Sequence, residues 1–209
     1  MLYLSGSIPA RPESRERMRM AGIGVMAQPH SYSPDSVRGW AWAADNGCFN
    51  EQWDPDHWLD WLHKMRDVPG CLFAVVPDEV ADAEVTRRMF SDWAALVTDL
   101  GYRPAYVAQN GATCASIPWD DIACVFIGGD TDWKLGHQAE AITRHAKQLG
   151  KWVHMGRVNS LRRMRIAESW GVDSCDGTFL KFGPDINIRR LTAMLNDVNT
   201  APSLFGGAD

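Results

Sequence analysis

The sequence predicts an α/β fold, a compact (β/α)8 TIM-like barrel with some abbreviated helices, and three observations predict it. Eight short apolar runs recur along the chain, each run ends in polar residues, and stripes of apolar residues at helical spacing lie between the runs. Near-continuous apolar runs suit parallel strands covered on both faces, while i, i+3, i+4 stripes mark helices lying on a sheet. Strand and helix in alternation are the signature of such a barrel.

The runs are "LYLSG" (2–6), "GIGVMAQ" (22–28), "WAWAADN" (40–46), "CLFAVVPD" (71–78), "AYVAQNG" (105–111), "CVFIGGD" (124–130), "WVHMG" (152–156) and "SCDG" (174–177). Between them, Trp58, Leu62 and Met65 share a helical face, and Val85, Met89, Trp93, Leu96 and Leu100 form a longer stripe ended by Gly101. Ala139, Ile142, Ala146 and Leu149 repeat the spacing before Gly150. Leu161, Met164 and Ala167 follow with Arg162, Arg163 and Arg165 turned outward, and Ile188, Leu191, Leu195 and Val198 close the series. The stretch 112–123, "ATCASIPWDDIA", has room for one turn at most, as a chain shorter than the usual barrel of about 250 residues requires. Residues 1–200 are expected to form the barrel domain and 201–209, "APSLFGGAD", a loose tail.

At 209 residues, 45% hydrophobic and 22% charged, the chain can bury a core and lacks the signature of disorder. A net charge of −5 argues against an architectural nucleic-acid binder, but not against an enzyme holding nucleic acid along a local basic strip. Five cysteines without a C-x-x-C pair predict reduced thiols and a cytoplasmic protein. No signal peptide or membrane-length apolar run is present, so no membrane partner is expected.

In a parallel barrel, function collects at the C-terminal ends of the strands. There the sequence places Asp45-Asn46-Gly47, Asp78-Glu79, Gln109-Asn110-Gly111, Gly128-Gly129-Asp130, Met155-Gly156-Arg157 and Asp176-Gly177. Any single Asp or Asn in such a place is more often a turn residue or helix cap. Acids and an amide converging on one rim point to a site. Arg157 and Lys134 are candidates for nucleic-acid phosphates, whereas Arg162, Arg163 and Arg165 equally suit a solvated helix face. His154, inside an apolar run, reads as a packed histidine, and Cys48 and Cys175 as small buried thiols.

These segments resemble the tRNA-guanine transglycosylase superfamily, barrels that exchange guanine for a 7-deazaguanine base. The family's D-S-G-G-F is matched by "DNGCF" (45–49), its strand ending in D-E by "VVPDE" (75–79), and its V-Q-G by "VAQNG" (107–111). Its I-G-G-L is matched by "FIGGD" (126–130), and its M-G-x-G, helix and G-I-D-x-x-D-C by "HMGRVNSLRRMRIAESWGVDSCDG" (154–177). The likeness spans roughly residues 40–180, with the segments between motifs much shortened.

The resemblance implies roles. Asp176 aligns with the nucleophile that attacks C1′ of the nucleoside, and Asp45 with the second carboxylate, which moves a proton to the leaving base and from the entering one. Asp78 would accept from guanine N1–H and the exocyclic amine, while Gln109 and the Gly129 N–H would donate to O6, beside Gly128. Met155 and Gly156 would floor the pocket. Asp173 is the rival to Asp176, although its position suits the turn leading into the strand.

No Cys or His follows Asp176, so the family's zinc site has no ligands there, and no cofactor is expected. A zinc-free, shortened member resembles the relatives in phage and bacteria that insert 7-deazaguanines such as preQ0 into DNA. That implies DNA as partner, a flipped-out target guanine and room for a DNA-opening accessory protein. Exchange on tRNA, a carboxylate-pair N-glycoside hydrolase and a non-catalytic nucleobase-binding barrel remain the alternatives.

Overall fold

Eight parallel strands close on themselves in chain order: β1 (Leu2–Ser5), β2 (Gly24–Ala27), β3 (Trp42–Ala44), β4 (Cys71–Val75), β5 (Pro104–Ala108), β6 (Cys124–Ile127), β7 (Trp152–Met155) and β8 (Ser174–Gly177). The computed structural model describes residues 1–49 and 53–200; the expected tail, 201–209, lies outside them. β8 returns to β1 in the register Leu2↔Ser174 and Leu4↔Asp176, which closes the barrel and brings the last strand beside the first. The (β/α)8 expectation is met, and each strand falls within its predicted run or extends one residue beyond it.

The connecting helices are α1 (Pro12–Met20), α2 (Pro34–Val37), α3 (Pro55–Met65), α4 (Ala83–Asp99), α5 (Thr131–Lys134), α6 (His137–Gln148), α7 (Leu161–Ser169) and α8 (Pro184–Thr200). The β5–β6 connection carries two single 3₁₀ turns, Cys114–Ser116 and Trp119–Asp121, one more than the single turn expected of the 112–123 stretch, in place of a full helix. Proline sits in the first turn of α1, α2 and α3, where its missing N–H costs nothing. The stripes of α3, α6, α7 and α8 are buried largely as their spacing predicts, although Leu149, just past the end of α6, is exposed. For α4 the phase is corrected. Its buried residues are Thr86, Phe90 and Val97, and Leu96 is exposed. The Phe90 ring packs edge-on against Tyr106 of β5, 5.2 Å between centroids, and that aromatic contact fixes which face turns inward.

Two apolar layers divide the strands by parity. Tyr3, Val25, Trp42, Ala44, Tyr106, Ile127, Val153, Met155 and Cys175 belong to the layer between sheet and helices. Leu4, Met26, Ala43, Phe73, Val75, Ala105, Val107 and Cys124 form a smaller cluster that fills the barrel. Because successive side chains alternate faces, stepping two residues from these inward positions gives the next inward position at the C-terminal rim. Met26 leads to Gln28, Ala43 to Asp45, Val107 to Gln109 and Phe126 to Gly128. All five cysteines are free thiols. No helix among the described residues is long and apolar enough to cross a membrane.

Candidate active site

The inward rim positions open into one cavity of about 560 Å³, within the usual range for small-molecule sites. Its floor is made by Met26, Val75, Val107 and Phe126, and its polar wall by Gln28, Asp45, Asn46, Asp78, Gln109, Lys134 and Asp176. Gly128, Gly129, Gly156 and Arg157 complete the β6–β7 side. Nine of the ten expected site residues therefore border one space; the tenth, Met155, does not. Its parity on β7 turns the side chain outward into the helix-facing layer, where it is fully buried, so it cannot floor the pocket. Phe126 takes that place.

The three acids differ in their surroundings. Asp176 accepts the backbone N–H of Arg157 on Oδ1 at 2.9 Å, and its Oδ2 lies 3.0 Å from His154 Nε2. Arg157 adopts a left-handed backbone, φ 57°, a conformation that costs a non-glycine residue roughly 1 kcal/mol or more. That turn aims its N–H at the carboxylate. Asp45 accepts from Gln28 Nε2 at 2.8 Å. Burial pushes its carboxyl up, the Asp176 charge adds to this, and the Gln28 and Gly47 hydrogen bonds oppose it. Asp78 accepts from Asn46 Nδ2 at 2.7 Å and Gln109 Nε2 at 2.6 Å. Burial nevertheless pushes it up to about 6, with the Asp45 and Glu79 charges adding to the effect.

Gln109 works as an orienting amide. Its Oε1 accepts from the N–H groups of Gly129 at 2.7 Å and Ala81 at 3.0 Å, while its Nε2 holds Asp78. The expectation that Gln109 and the Gly129 N–H both face a base O6 is thereby corrected: the Gly129 donor is engaged by Gln109, whose amide keeps one free hydrogen. Lys134 is buried, not a surface phosphate ligand, and donates from Nζ to the Gly156 carbonyl at 2.7 Å. Burial first and the Arg157 charge second lower its ammonium to about 8. The exposed Arg157 guanidinium donates to the Gly129 carbonyl at 2.7 Å and lies over the Phe49 ring, 5.3 Å from its centroid.

Three further rim acids are helix caps. Asp54, Asp82 and Asp130 cap α3, α4 and α5 by accepting the first free N–H groups of those helices. Asp173 sits at the opposite end of β8 from the cavity, held by Lys147 Nζ at 2.6 and 2.7 Å and by the Val153 N–H at 2.8 Å. Burial pushes the Cys48 thiol up to about 12, so it is no nucleophile at neutral pH. Among the described residues no group of three His, Cys, Asp or Glu side chains is placed to hold a metal ion.

Sequence reasoning placed Asn46 at the rim without a role, read His154 as a packed histidine and did not single out Gln28 as a site residue. Gln28 was legible from parity, two residues beyond the inward Met26. Gly177 follows Asp176 because nothing larger fits: a Cβ there would meet Asn159 Oδ1 at 2.3 Å, Tyr3 Oη at 2.5 Å and the Val158 carbonyl at 2.9 Å. Gly177→Ala is expected to destabilise the fold by about 1–3 kcal/mol, the cost of overpacking, read as a lower midpoint in urea.

No family model matches the sequence. A stretch of 94 residues, 45% of this chain, is 31% identical to an F420-dependent glucose-6-phosphate dehydrogenase of Amycolatopsis mediterranei (strain U-32). The match spans 27% of that relative's length. Among solved structures, pyruvate kinase from Pyrobaculum aerophilum superposes with a TM-score of 0.61 at 14% identity, covering 94% of this chain and 71% of that one. The BexX/CysO complex of Amycolatopsis orientalis gives 0.54 at 16% identity, covering 99% and 94%. At these identities the structural likeness is one of fold alone, and it agrees with the barrel described above.

Proposed function

We propose that this chain is an enzyme, a pentosyltransferase of the guanine transglycosylase type, which replaces guanine in DNA by a 7-deazaguanine base through a covalent aspartyl–glycosyl intermediate. The observation that carries the proposal is the meeting of Asp45, Asp78 and Asp176, from three distant segments, around one cavity of purine-accommodating size. An Asp176 oxygen attacks C1′, the C1′–N9 bond breaks, and its electron pair leaves with guanine. Asp45, pushed toward its protonated form, supplies the proton the departing base takes up. The incoming base then gives its N9 proton to Asp45 and attacks C1′, releasing Asp176.

The split between the acids supports these roles. Asp176 accepts the Arg157 N–H on one oxygen and lies against His154 Nε2 with the other, whereas burial pushes Asp45 toward its protonated form against its hydrogen bonds from Gln28 and the Gly47 N–H. Asp78, braced by two amides, presents its carboxylate to the guanine edge. Arg157 at the mouth is the residue best placed for a backbone phosphate. No cofactor enters this chemistry.

The test is incubation of the protein with preQ0 and single-stranded or duplex DNA, followed by nucleoside mass spectrometry, with tRNA as a parallel substrate. Incorporated 7-deazaguanine with stoichiometric guanine release is the expected result. Guanine release without incorporation would identify a hydrolase instead, and incorporation into tRNA alone would reassign the nucleic acid.

A further inference from the structure

Beneath Asp176 the barrel interior, otherwise apolar, contains a continuous line of polar groups. His154, fully buried between the rings of Phe73 and Phe126 at centroid distances of 5.3 and 4.5 Å, reaches Asp176 Oδ2 with Nε2 at 3.0 Å. Its Nδ1 lies 2.8 Å from Ser174 Oγ, and Ser174, also fully buried, accepts from Trp152 Nε1 at 2.8 Å. We infer that Trp152, Ser174 and His154 form a one-way hydrogen-bond relay that fixes the imidazole as its Nε2–H tautomer and thereby positions Asp176 as a ready anion. The positioning role, but not the tautomer, rests on the reading of Asp176 as nucleophile.

The direction follows from donor counting. An indole N–H only donates, so Ser174 Oγ must accept at that contact. The serine hydroxyl then has one hydrogen, and His154 Nδ1 is its other polar neighbour among the described residues. If the hydroxyl donates to Nδ1, the ring's single hydrogen is on Nε2 and points at Asp176, and every group is satisfied. If instead Nδ1 carried the hydrogen, in a neutral ring or an imidazolium, the buried hydroxyl hydrogen would be left without an acceptor. Only the first arrangement leaves no orphan.

The three residue types are those of a hydrolase triad, but their order is inverted. Ser174 lies sealed below the ring and cannot reach a substrate, while the carboxylate is the member that lines the cavity. His154 and Ser174 are therefore positioning residues. With the Arg157 N–H on Oδ1, the relay holds both carboxylate oxygens and prevents rotation of the Asp176 side chain.

The test is ¹⁵N NMR of the histidine-labelled wild-type protein, with the His154 signal assigned by its loss in His154→Gln. A pyridine-type Nδ1 with a protonated Nε2 supports the relay; an Nδ1–H tautomer or an imidazolium at neutral pH overturns it. This reading does not depend on turnover, so absence of base exchange would remove the proposed function and leave the relay standing. Where exchange is observed, His154→Leu is expected to lower kcat about 100-fold with KM for the base little changed, and His154→Gln, which keeps a donor near Nε2, to recover about tenfold. A folded His154→Leu enzyme with unaltered kcat overturns the positioning role.

Discussion

Asp176→Asn is expected to abolish base exchange, lowering the rate at least about 10³-fold, while leaving the fold and guanine binding in place. The amide is nearly isosteric with the carboxylate but is a far weaker nucleophile, and no glycosyl ester can form on it. The protein should stay folded but be measurably less stable. One of the two donors on this side chain, the Arg157 N–H or His154 Nε2–H, faces the new NH2 instead of an acceptor, a loss of about 1–3 kcal/mol. Guanine binding should persist because its recognition is assigned to Asp78, on the other side of the cavity wall. Intact-protein mass spectrometry after mixing with DNA checks the chemistry directly. The wild type should carry a covalent nucleic-acid adduct, and Asp176→Asn should carry none. Asp45→Asn makes the complementary case, since a proton-transfer residue contributes about 10²–10⁴-fold and leaves the nucleophile present. An Asp176→Asn protein retaining a tenth of wild-type exchange would end the covalent mechanism.

The barrel was legible because a strand covered on both faces must be written as a run of apolar residues, and the chain contains eight such runs. Less legible was α1, whose buried residues are only Ser14 and Met18, with five charged residues among nine. The phase of α4 was misread because Val85, Met89 and Leu96 are as apolar as Phe90, and the contact with Tyr106 that chooses between faces is tertiary.

At the rim the difficulty is chemical. The same edge that carries the site also carries the first turns of the helices, so Asp54, Asp82 and Asp130, which cap, and Asp45, Asp78 and Asp176, which line the cavity, are alike in residue type. Parity would have singled out Asp45 and Asp176 and excluded Met155, but it places Asp78, in phase with the outward Val76, on the wrong face. His154 reads as a packed histidine because an isolated histidine in an apolar strand has nothing in sequence to show that Ser174 and Asp176, twenty and twenty-two residues on, face it across β7 and β8.

Asp78→Asn is expected to raise the KM for guanine at least about 10³-fold, because a site built to accept two hydrogen bonds would then oppose a donor to the N1–H and exocyclic amine. The pH dependence supplies a second, independent reading. Burial holds the folded-state Asp78 pKa at about 6, above the ordinary aspartate value of about 3.9. Only the anion accepts from both guanine donors, so guanine affinity should fall about tenfold per pH unit below that value and level off above it. Stability should move in the opposite sense. Between roughly pH 4 and 6 the folded protein holds a proton that the unfolded chain has released, so stability is fullest below this window and declines as pH rises through it, by at most roughly 3 kcal/mol. Asp45, pushed in the same direction, steepens the decline. Asp78→Asn removes the Asp78 share, which urea midpoints at pH 4.5 and 7 can measure beside the wild type. A guanine affinity flat across the window would dissociate Asp78 from the base, and the purine edge would then have to be read by Gln28 and Asp45 instead.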